Sequence, residues 1–148
     1  MPLPKDLREF IASLNSHRVD YVIVGAYALA FHGHPRYTGD IDILVGAAPE
    51  NASRLEEVLR EFGFGEAGLS ARDFLEPEQV IQLGRAPDRI DLLTSITGVS
   101  FEEAWANRVP AELDGIPVSF IGRELLIRNK RATERVQDHA DLEALGAA

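Results

Sequence analysis

Two apolar segments separated by a glycine turn most constrain the fold of this chain. The first, Val22–Val24, runs directly into Gly25, and the second, Asp40–Val45, carries aspartates at its first and third positions. Both segments have the length and apolar character of strands buried in a sheet. Because successive strand side chains alternate between faces, Asp40 and Asp42 lie on one side of the second strand, roughly 7 Å apart by Cα. The sequence therefore predicts a buried strand that presents two carboxylates on one face.

This pair of carboxylates is energetically expensive unless a cation accompanies it. Like charges that lie close together raise each other's pKa, and a hard, oxygen-binding cation such as Mg²⁺ would relieve the conflict. Gly25 stands where the first strand meets a predicted helix, so the backbone there can approach a ligand closely and its free N–H groups attract phosphate. A strand-glycine-helix turn is by itself also a common packing device. Together the two features predict a metal site beside a phosphate-binding turn.

A third aspartate lies in another apolar segment. Asp91 stands between Ile90 and Leu92 in a predicted strand over 89–94, so it faces the side opposite to these core residues. If this strand lies beside 40–45, Asp91 joins the first two aspartates. Three converging carboxylates can bind one or two Mg²⁺ ions, deprotonate an attacking hydroxyl and stabilise charge on a transferring phosphoryl group. The alternative is that Asp91 is a solvated edge residue or a turn partner.

The order of predicted elements decides the fold class. Helices are predicted over 5–15, 26–31, 49–62, a short stretch after Ser100, 123–131 and 134–145, and strands over 21–24, 40–45, 80–83, 89–94 and, as a hairpin around Asp114-Gly115, within 112–121. Residues 64–78 show no clear period and are expected to form a loop with a short helical turn. This order predicts an α/β (α+β) fold, with a small mixed sheet flanked by helices and with C-terminal helices. At 148 residues we expect a single domain spanning 1–148.

Composition and charge exclude several classes of protein. The chain has no cysteine, which rules out disulfides and thiolate metal sites. Its net charge of −9 argues against broad nucleic-acid binding, which needs a cationic face. No apolar run approaches the ~18 residues of a membrane span, and residues 1–6 lack the apolar block of a signal peptide. A cytoplasmic protein without a membrane partner is therefore the expectation.

These residues resemble a known pattern, that of the nucleotidyltransferase superfamily of the DNA polymerase β type. In that pattern a strand leads to Gly followed by Gly or Ser, then a spacer, Asp-x-Asp/Glu and a later Asp. Two stretches are similar to small bacterial nucleotidyltransferase-like proteins, related to AbiEii-type toxins and minimal nucleotidyltransferases: Gly25-x-Tyr27-Ala28-Leu29-x-x-His32-Gly33-x-x-Arg36-x-Thr38-x-Asp40-Ile41-Asp42 and Asn129-Lys130-x-Ala132-Thr133-x-Arg135-x-x-Asp138-x-x-Asp141. Ala26 departs from the pattern, since a serine hydroxyl there would touch a phosphate and alanine offers only its backbone N–H.

The resemblance implies an Mg²⁺-dependent enzyme that transfers a nucleoside monophosphate from an NTP to a hydroxyl, releasing pyrophosphate. It implies that Asp40 and Asp42 are metal ligands and that Asp91 is a ligand or general base. The residues that it implies for nucleotide binding are Gly25, Ala26, Arg36, Thr38 and Lys130. For Lys130 the alternative is a solvated lysine balancing a helix dipole, and Thr38 is alternatively only a turn cap. Likewise, residues 131–135 form either a solvated helix face or a contact for an anionic acceptor such as RNA.

The acceptor and the biological setting stay open at this point. The candidate acceptors are a tRNA, a protein hydroxyl or a small molecule. A cognate partner protein or a second copy of the chain would complete the cleft. The resemblance also allows a role in a toxin–antitoxin system. A rival interpretation is a binding or partner module without activity, with Ala26 marking relaxed chemistry, although retention of all three carboxylates favours the enzyme. A metal-dependent phosphodiesterase or nuclease would instead cleave without any NTP.

Overall fold

The structure of the protein, a computed structural model, describes residues 3–35, 38–63, 69–85, 88–133 and 135–147. Within these ranges six helices and six strands follow one another in an order close to the predicted one. They are α1 (Lys5–Ser16), β1 (Tyr21–Val24), α2 (Gly25–Phe31), β2 (Asp40–Val45), α3 (Pro49–Glu61), β3 (Val80–Leu83), β4 (Arg89–Leu93), α4 (Phe101–Ala106), β5 (Val109–Leu113), β6 (Ile116–Phe120), α5 (Arg123–Thr133) and α6 (Val136–Ala144). A 3₁₀ helix, Ala71–Phe74, supplies the short helical turn expected before β3.

The six strands form one mixed sheet in the order β3-β4-β2-β1-β6-β5. The central strand β2 pairs antiparallel with β1 and parallel with β4, and β1 pairs parallel with β6. The outer pairs, β3 with β4 and β5 with β6, are antiparallel. The mixed sheet with flanking helices confirms the predicted fold class. It also places β2, the strand with two aspartates, directly beside β4, the strand with the third.

Alternation along β2 positions its aspartates, because its apolar side chains anchor the strand in the core. Ile41 and Ile43 are fully buried, whereas Asp40 and Asp42, which alternate with them along the strand, are only partly buried. Burying a side chain of that size stabilises a fold by about 1.5–3 kcal/mol, so a register slip that exposed the isoleucines would be costly. The buried apolar side chains of the helices and strands join the same core.

Asn51, at the start of α3, fixes the ends of β1 and β2 relative to each other. Its side-chain amide donates to the carbonyl of Asp20 at 3.0 Å and to that of Gly46 at 2.8 Å, and its oxygen accepts the Asp20 N–H at 2.7 Å. Asn51 is 2% exposed, so these bonds satisfy a buried polar group. The clamp supports the register in which Val24 lies opposite Asp42.

The C-terminal part confirms the predicted hairpin and helices with shifted boundaries. Asp114 and Gly115 both have positive φ, as a two-residue hairpin turn requires. Strand β5 begins at Val109, three residues before the predicted start at 112, because Pro110 is tolerated on this edge strand. The side chain of Ser100 caps α4 as predicted. None of the helices in the described ranges combines the length and apolar character needed to cross a membrane.

Candidate active site

The three predicted aspartates converge where β2 and β4 run side by side. Asp42 lies opposite Asp91 in the parallel register, and Asp40 lies opposite Arg89. One carboxylate oxygen from each of Asp40, Asp42 and Asp91 lies within 4.8 Å of the others, and we call these residues the carboxylate triad. Asp91 is 5% exposed on a strand flanked by β3 and β2, so the alternative of a solvated edge residue is wrong.

Gly25 is required at the end of β1 for two physical reasons. Its φ is +68°, in the left-handed region that glycine adopts without strain. A Cβ added there would also lie 3.0 Å from the carboxyl carbon of Asp42 and closer still to one of its oxygens. The turn therefore passes as close to the carboxylate triad as a backbone can, which explains the glycine at this position of the sequence.

Arg89 is a member of the site that the sequence analysis missed. Its Nη2 donates to Asp40 at 2.7 Å and to Asp91 at 3.1 Å, while its Nε donates to Asp91 at 2.9 Å. The guanidinium thus bridges two members of the carboxylate triad. The signal was present in the sequence, because Arg89 and Asp91 are spaced i and i+2 and must share one face of their strand.

The three carboxylates are unequally neutralised, which shows in their acidities. Burial raises the pKa of Asp42 to about 7, and the charges of Asp40 and Asp91 act in the same direction. Burial also opposes the ionisation of Asp40, but hydrogen bonds that include those from Thr38 and Arg89 hold its pKa below the usual range. The oxygen-only donor set fits a hard divalent cation, and Arg89 supplies positive charge to two of the three carboxylates. A further cation would therefore stabilise the ionised form of Asp42 more than that of the other two aspartates.

The carboxylate triad opens into a pocket of about 660 Å³. Strand residues form one part of its lining, and residues of α5 and of the segment leading into α6 form another. The lining residues are Val24, Gly25, Asp40, Asp42, Val80, Arg89, Asp91, Leu93, Ile96, Thr97, Asn129, Lys130, Ala132, Thr133 and Arg135. The pocket therefore combines a strongly acidic patch with apolar surface and with basic side chains near the C-terminus.

Lys130 lines this pocket, as a phosphate-binding cation should, but its ammonium is already engaged. Nζ lies 2.6 Å from Asp141 Oδ2 and 3.7 Å from Asp138 Oδ1. Lys130 is 3% exposed, so the alternative of a solvated helix-end lysine is wrong. The predicted contact between Lys130 and phosphate stays a prediction.

The other residues predicted for nucleotide binding have different surroundings. The hydroxyl of Thr38 donates to Asp40 Oδ1 at 2.8 Å, and its oxygen accepts the Asp40 N–H at 3.3 Å, so Thr38 orients a member of the carboxylate triad. Ala26 is 6% exposed in the first turn of α2. Arg36 lies outside the described residues. The nucleotide contacts of Thr38, Ala26 and Arg36 stay predictions.

Solved structures of other proteins share this fold. A candidate nucleotidyltransferase from Thermotoga maritima matches with a TM-score of 0.61 and 18% sequence identity, over 95% of this chain and 89% of that chain. An antigenic nucleotidyltransferase-like protein from Paracoccidioides brasiliensis matches with a TM-score of 0.58 and 15% identity, over 99% of this chain and 77% of that chain. No protein-family model and no curated protein matches the sequence. The likeness is therefore one of architecture: the chain has a nucleotidyltransferase-like fold.

Proposed function

We propose that this protein is a metal-dependent nucleotidyltransferase, which transfers a nucleoside monophosphate from an NTP to an acceptor hydroxyl and releases pyrophosphate. One observation carries the proposal: three carboxylates on adjacent strands bring oxygens within 4.8 Å of one another, at a pocket that also contains a glycine turn. A nucleotidyltransferase-like fold supports the same activity. The 660 Å³ pocket is of the size that small-molecule and cofactor sites have.

In this proposal Asp40, Asp42 and Asp91 bind Mg²⁺, as one ion or two. When bound there, Mg²⁺ would supply positive charge to neutralise the triphosphate and to polarise the reacting phosphoryl group. Thr38 holds the Asp40 carboxylate in place through its hydroxyl. A metal held by Asp40 and Asp91 would compete with Arg89 for their oxygens, and the Arg89 side chain is 34% exposed, so it has room to move.

The transfer itself is a single displacement at phosphorus. The acceptor oxygen forms a bond to the α-phosphorus, the bond from that phosphorus to the bridging oxygen breaks, and pyrophosphate leaves with the bonding electrons. The proton of the acceptor hydroxyl passes to a carboxylate, for which we assign Asp91. Asp91 lines the pocket, so its carboxylate is placed to accept a proton from an acceptor bound there.

The pocket offers distinct surfaces for the two ends of the nucleotide. The backbone N–H groups at Gly25 and Ala26 suit the phosphates, which can approach closely because Gly25 has no side chain. Val80, Leu93 and Ile96 contribute apolar surface for the base. For the acceptor we propose a tRNA, a protein hydroxyl or a small molecule, with a partner protein or a second copy completing the cleft. A cytoplasmic toxin–antitoxin system is the proposed setting.

One observation favours the rival function, a partner module without activity. Ala26 stands where the pattern has Gly or Ser, so a hydroxyl contact to phosphate is lost. The rival predicts a folded protein that binds no NTP in the presence of Mg²⁺. The enzyme predicts binding and transfer, and an activity assay separates the two.

The test is transfer of label from α-³²P-labelled NTPs, with Mg²⁺, to tRNA or to the protein itself. We expect transfer by the unaltered protein and a loss of about 100-fold or more in Asp91→Asn, because a missing ligand removes several kcal/mol of charge stabilisation. The matched control is Asp88→Asn, which also removes one negative charge. Asp88 lies just before β4 but lines a different pocket. Cleavage of RNA without NTP, lost in Asp91→Asn, would contradict the proposal and indicate a phosphodiesterase.

A further inference from the structure

Helices α5 and α6 enclose a second group of acidic residues beside the pocket. Asp138 and Asp141 are 0% and 2% exposed, and they are accompanied by Lys130 and Arg135. We call these four residues the helix ion cluster. Lys130 contacts both aspartates, at 3.7 Å and 2.6 Å, so the buried carboxylates offset much of the positive charge that it would offer a ligand.

Arg135 differs from Lys130 in exposure and in the way it is held. Its Nε donates to Asp138 Oδ2 at 2.9 Å and its Nη2 to Asp138 Oδ1 at 3.2 Å, so the carboxylate binds one side of the guanidinium in a bidentate manner. The Arg135 side chain is nevertheless 71% exposed, and the residue lines the pocket with Gly25 and Asp42. The buried carboxylate thus presents an exposed guanidinium to the pocket.

The carboxylate that holds Arg135 is itself firmly fixed. Asp138 also accepts hydrogen bonds from the hydroxyl of Thr133 and, at 3.1 Å, from the backbone N–H of Arg135. A guanidinium has five N–H donors in a planar fork, and the bonds to Asp138 use one on Nε and one on Nη2. The Nη1 side remains for an anion, and a planar, pre-oriented guanidinium suits phosphate oxygens.

We propose that Arg135 contacts the polyphosphate of the nucleotide, and that Asp138 is the positioning residue that orients it. The inference rests on the proposed function and names the exposed Arg135, rather than the paired Lys130, as the main cation for the phosphates. The negative charge of the pocket favours such a cation in addition to the metal. Three carboxylates repel a triphosphate, and Arg89 is engaged with two of them.

The test is isothermal titration of the full chain with Mg²⁺-tripolyphosphate and with Mg²⁺-ATP. We expect Arg135→Gln to weaken the binding of both ligands about tenfold, because it removes one charge-assisted contact. Arg135→Lys should give an intermediate loss of affinity, since it keeps the positive charge but not the planar guanidinium that makes two hydrogen bonds to Asp138. The matched control is Arg131→Gln, because Arg131 is also exposed near the end of α5 but donates to the Ala147 carbonyl at 2.7 Å. It should change neither affinity by more than about twofold.

Titration of each variant with Mn²⁺ alone separates an anion contact from a structural role. A contact with phosphate predicts that Arg135→Gln binds Mn²⁺ as the unaltered protein does, whereas equal weakening of Mn²⁺ and tripolyphosphate would overturn the proposal. Unchanged tripolyphosphate binding in Arg135→Gln would also overturn it and leave the proposed function standing. If the unaltered protein binds Mn²⁺ but neither polyphosphate, the proposed function fails together with the inference.

Discussion

The carboxylate triad and the helix ion cluster both combine aspartates with basic side chains, but they differ in how completely the carboxylate charges are neutralised. The helix ion cluster sets two aspartates against Lys130 and Arg135, so its charges balance within the protein. The carboxylate triad sets three aspartates against Arg89. The first cluster is complete without a ligand, and the second has an excess of negative charge that a ligand can neutralise.

The pKa values of one aspartate from each cluster differ in the same sense. Burial disfavours the charged form of both Asp138 and Asp42, but hydrogen bonds from Arg135 and Thr133 lower the pKa of Asp138 to about 2. Burial, helped by the charges of its acidic neighbours, raises the pKa of Asp42 to about 7. Burial alone therefore does not distinguish the two aspartates. The balance of charge around each of them does, and changing that balance in either cluster has a measurable consequence.

The largest expected effect follows from removing the cation of the helix ion cluster. Lys130→Met should lower the free energy of unfolding by about 3–5 kcal/mol, because it leaves buried aspartates without their shared ammonium. Denaturant unfolding measures the change. Arg131→Met, an exposed neighbour, should cost less than about 1 kcal/mol. An equally small cost for Lys130→Met would contradict the view that the cluster is a balanced structural unit.

The opposite sign is expected in the carboxylate triad. The pKa of Asp42 is raised to about 7 in the folded, metal-free protein, so the unfolded chain loses this proton more readily than the folded one. The free energy of unfolding therefore falls as pH rises from about 4 to 7. Asp42→Asn removes this loss and should raise the free energy of unfolding at pH 8 by about 1–2 kcal/mol, after allowance for partial solvent screening. Thermal unfolding in EDTA at pH 4, 6 and 8 measures it. A variant less stable than the unaltered protein at pH 8 would contradict the account.

Much of the carboxylate triad could be predicted because strand alternation is a local property. Asp40 and Asp42 had to share a face, and apolar neighbours placed Asp91 on a buried strand. The pairing of β2 with β4 could only be stated as a condition, since parallel strands so far apart in sequence are brought together by tertiary packing. Arg89 obeys the same alternation, but its contact with Asp40 depends on the pairing of β2 with β4, which the sequence of one strand does not show.

The helix ion cluster was less predictable for a physical reason. A lysine near the end of a helix is usually exposed, and only the packing of α6 against α5 buries Lys130 beside Asp141. The start of β5 was missed because Pro110 argues against a strand unless the strand is known to lie at an edge. In both cases the missing information was which element lies next to which.

The smallest expected effect concerns the internal cation of the carboxylate triad. Arg89→Gln should tighten Mn²⁺ binding about fivefold, because the metal no longer competes with a guanidinium for Asp40 and Asp91. Titration calorimetry at pH 8, where Asp42 is ionised, measures the affinity. Arg135→Gln makes the same charge change in the same pocket and should alter Mn²⁺ affinity less than about twofold. Weaker Mn²⁺ binding in Arg89→Gln would show that the arginine supports the metal site instead of competing for it.

Isothermal titration with each NTP in the presence of Mg²⁺ tests most directly whether the carboxylate triad is a metal-nucleotide site. The unaltered protein and the isosteric double variant Asp40→Asn/Asp42→Asn are compared, each also in EDTA. We predict saturable, metal-dependent binding of at least one NTP by the unaltered protein and its loss in the double variant. A folded, unaltered protein that binds no NTP, or binds one equally well in EDTA and in the double variant, would contradict the account.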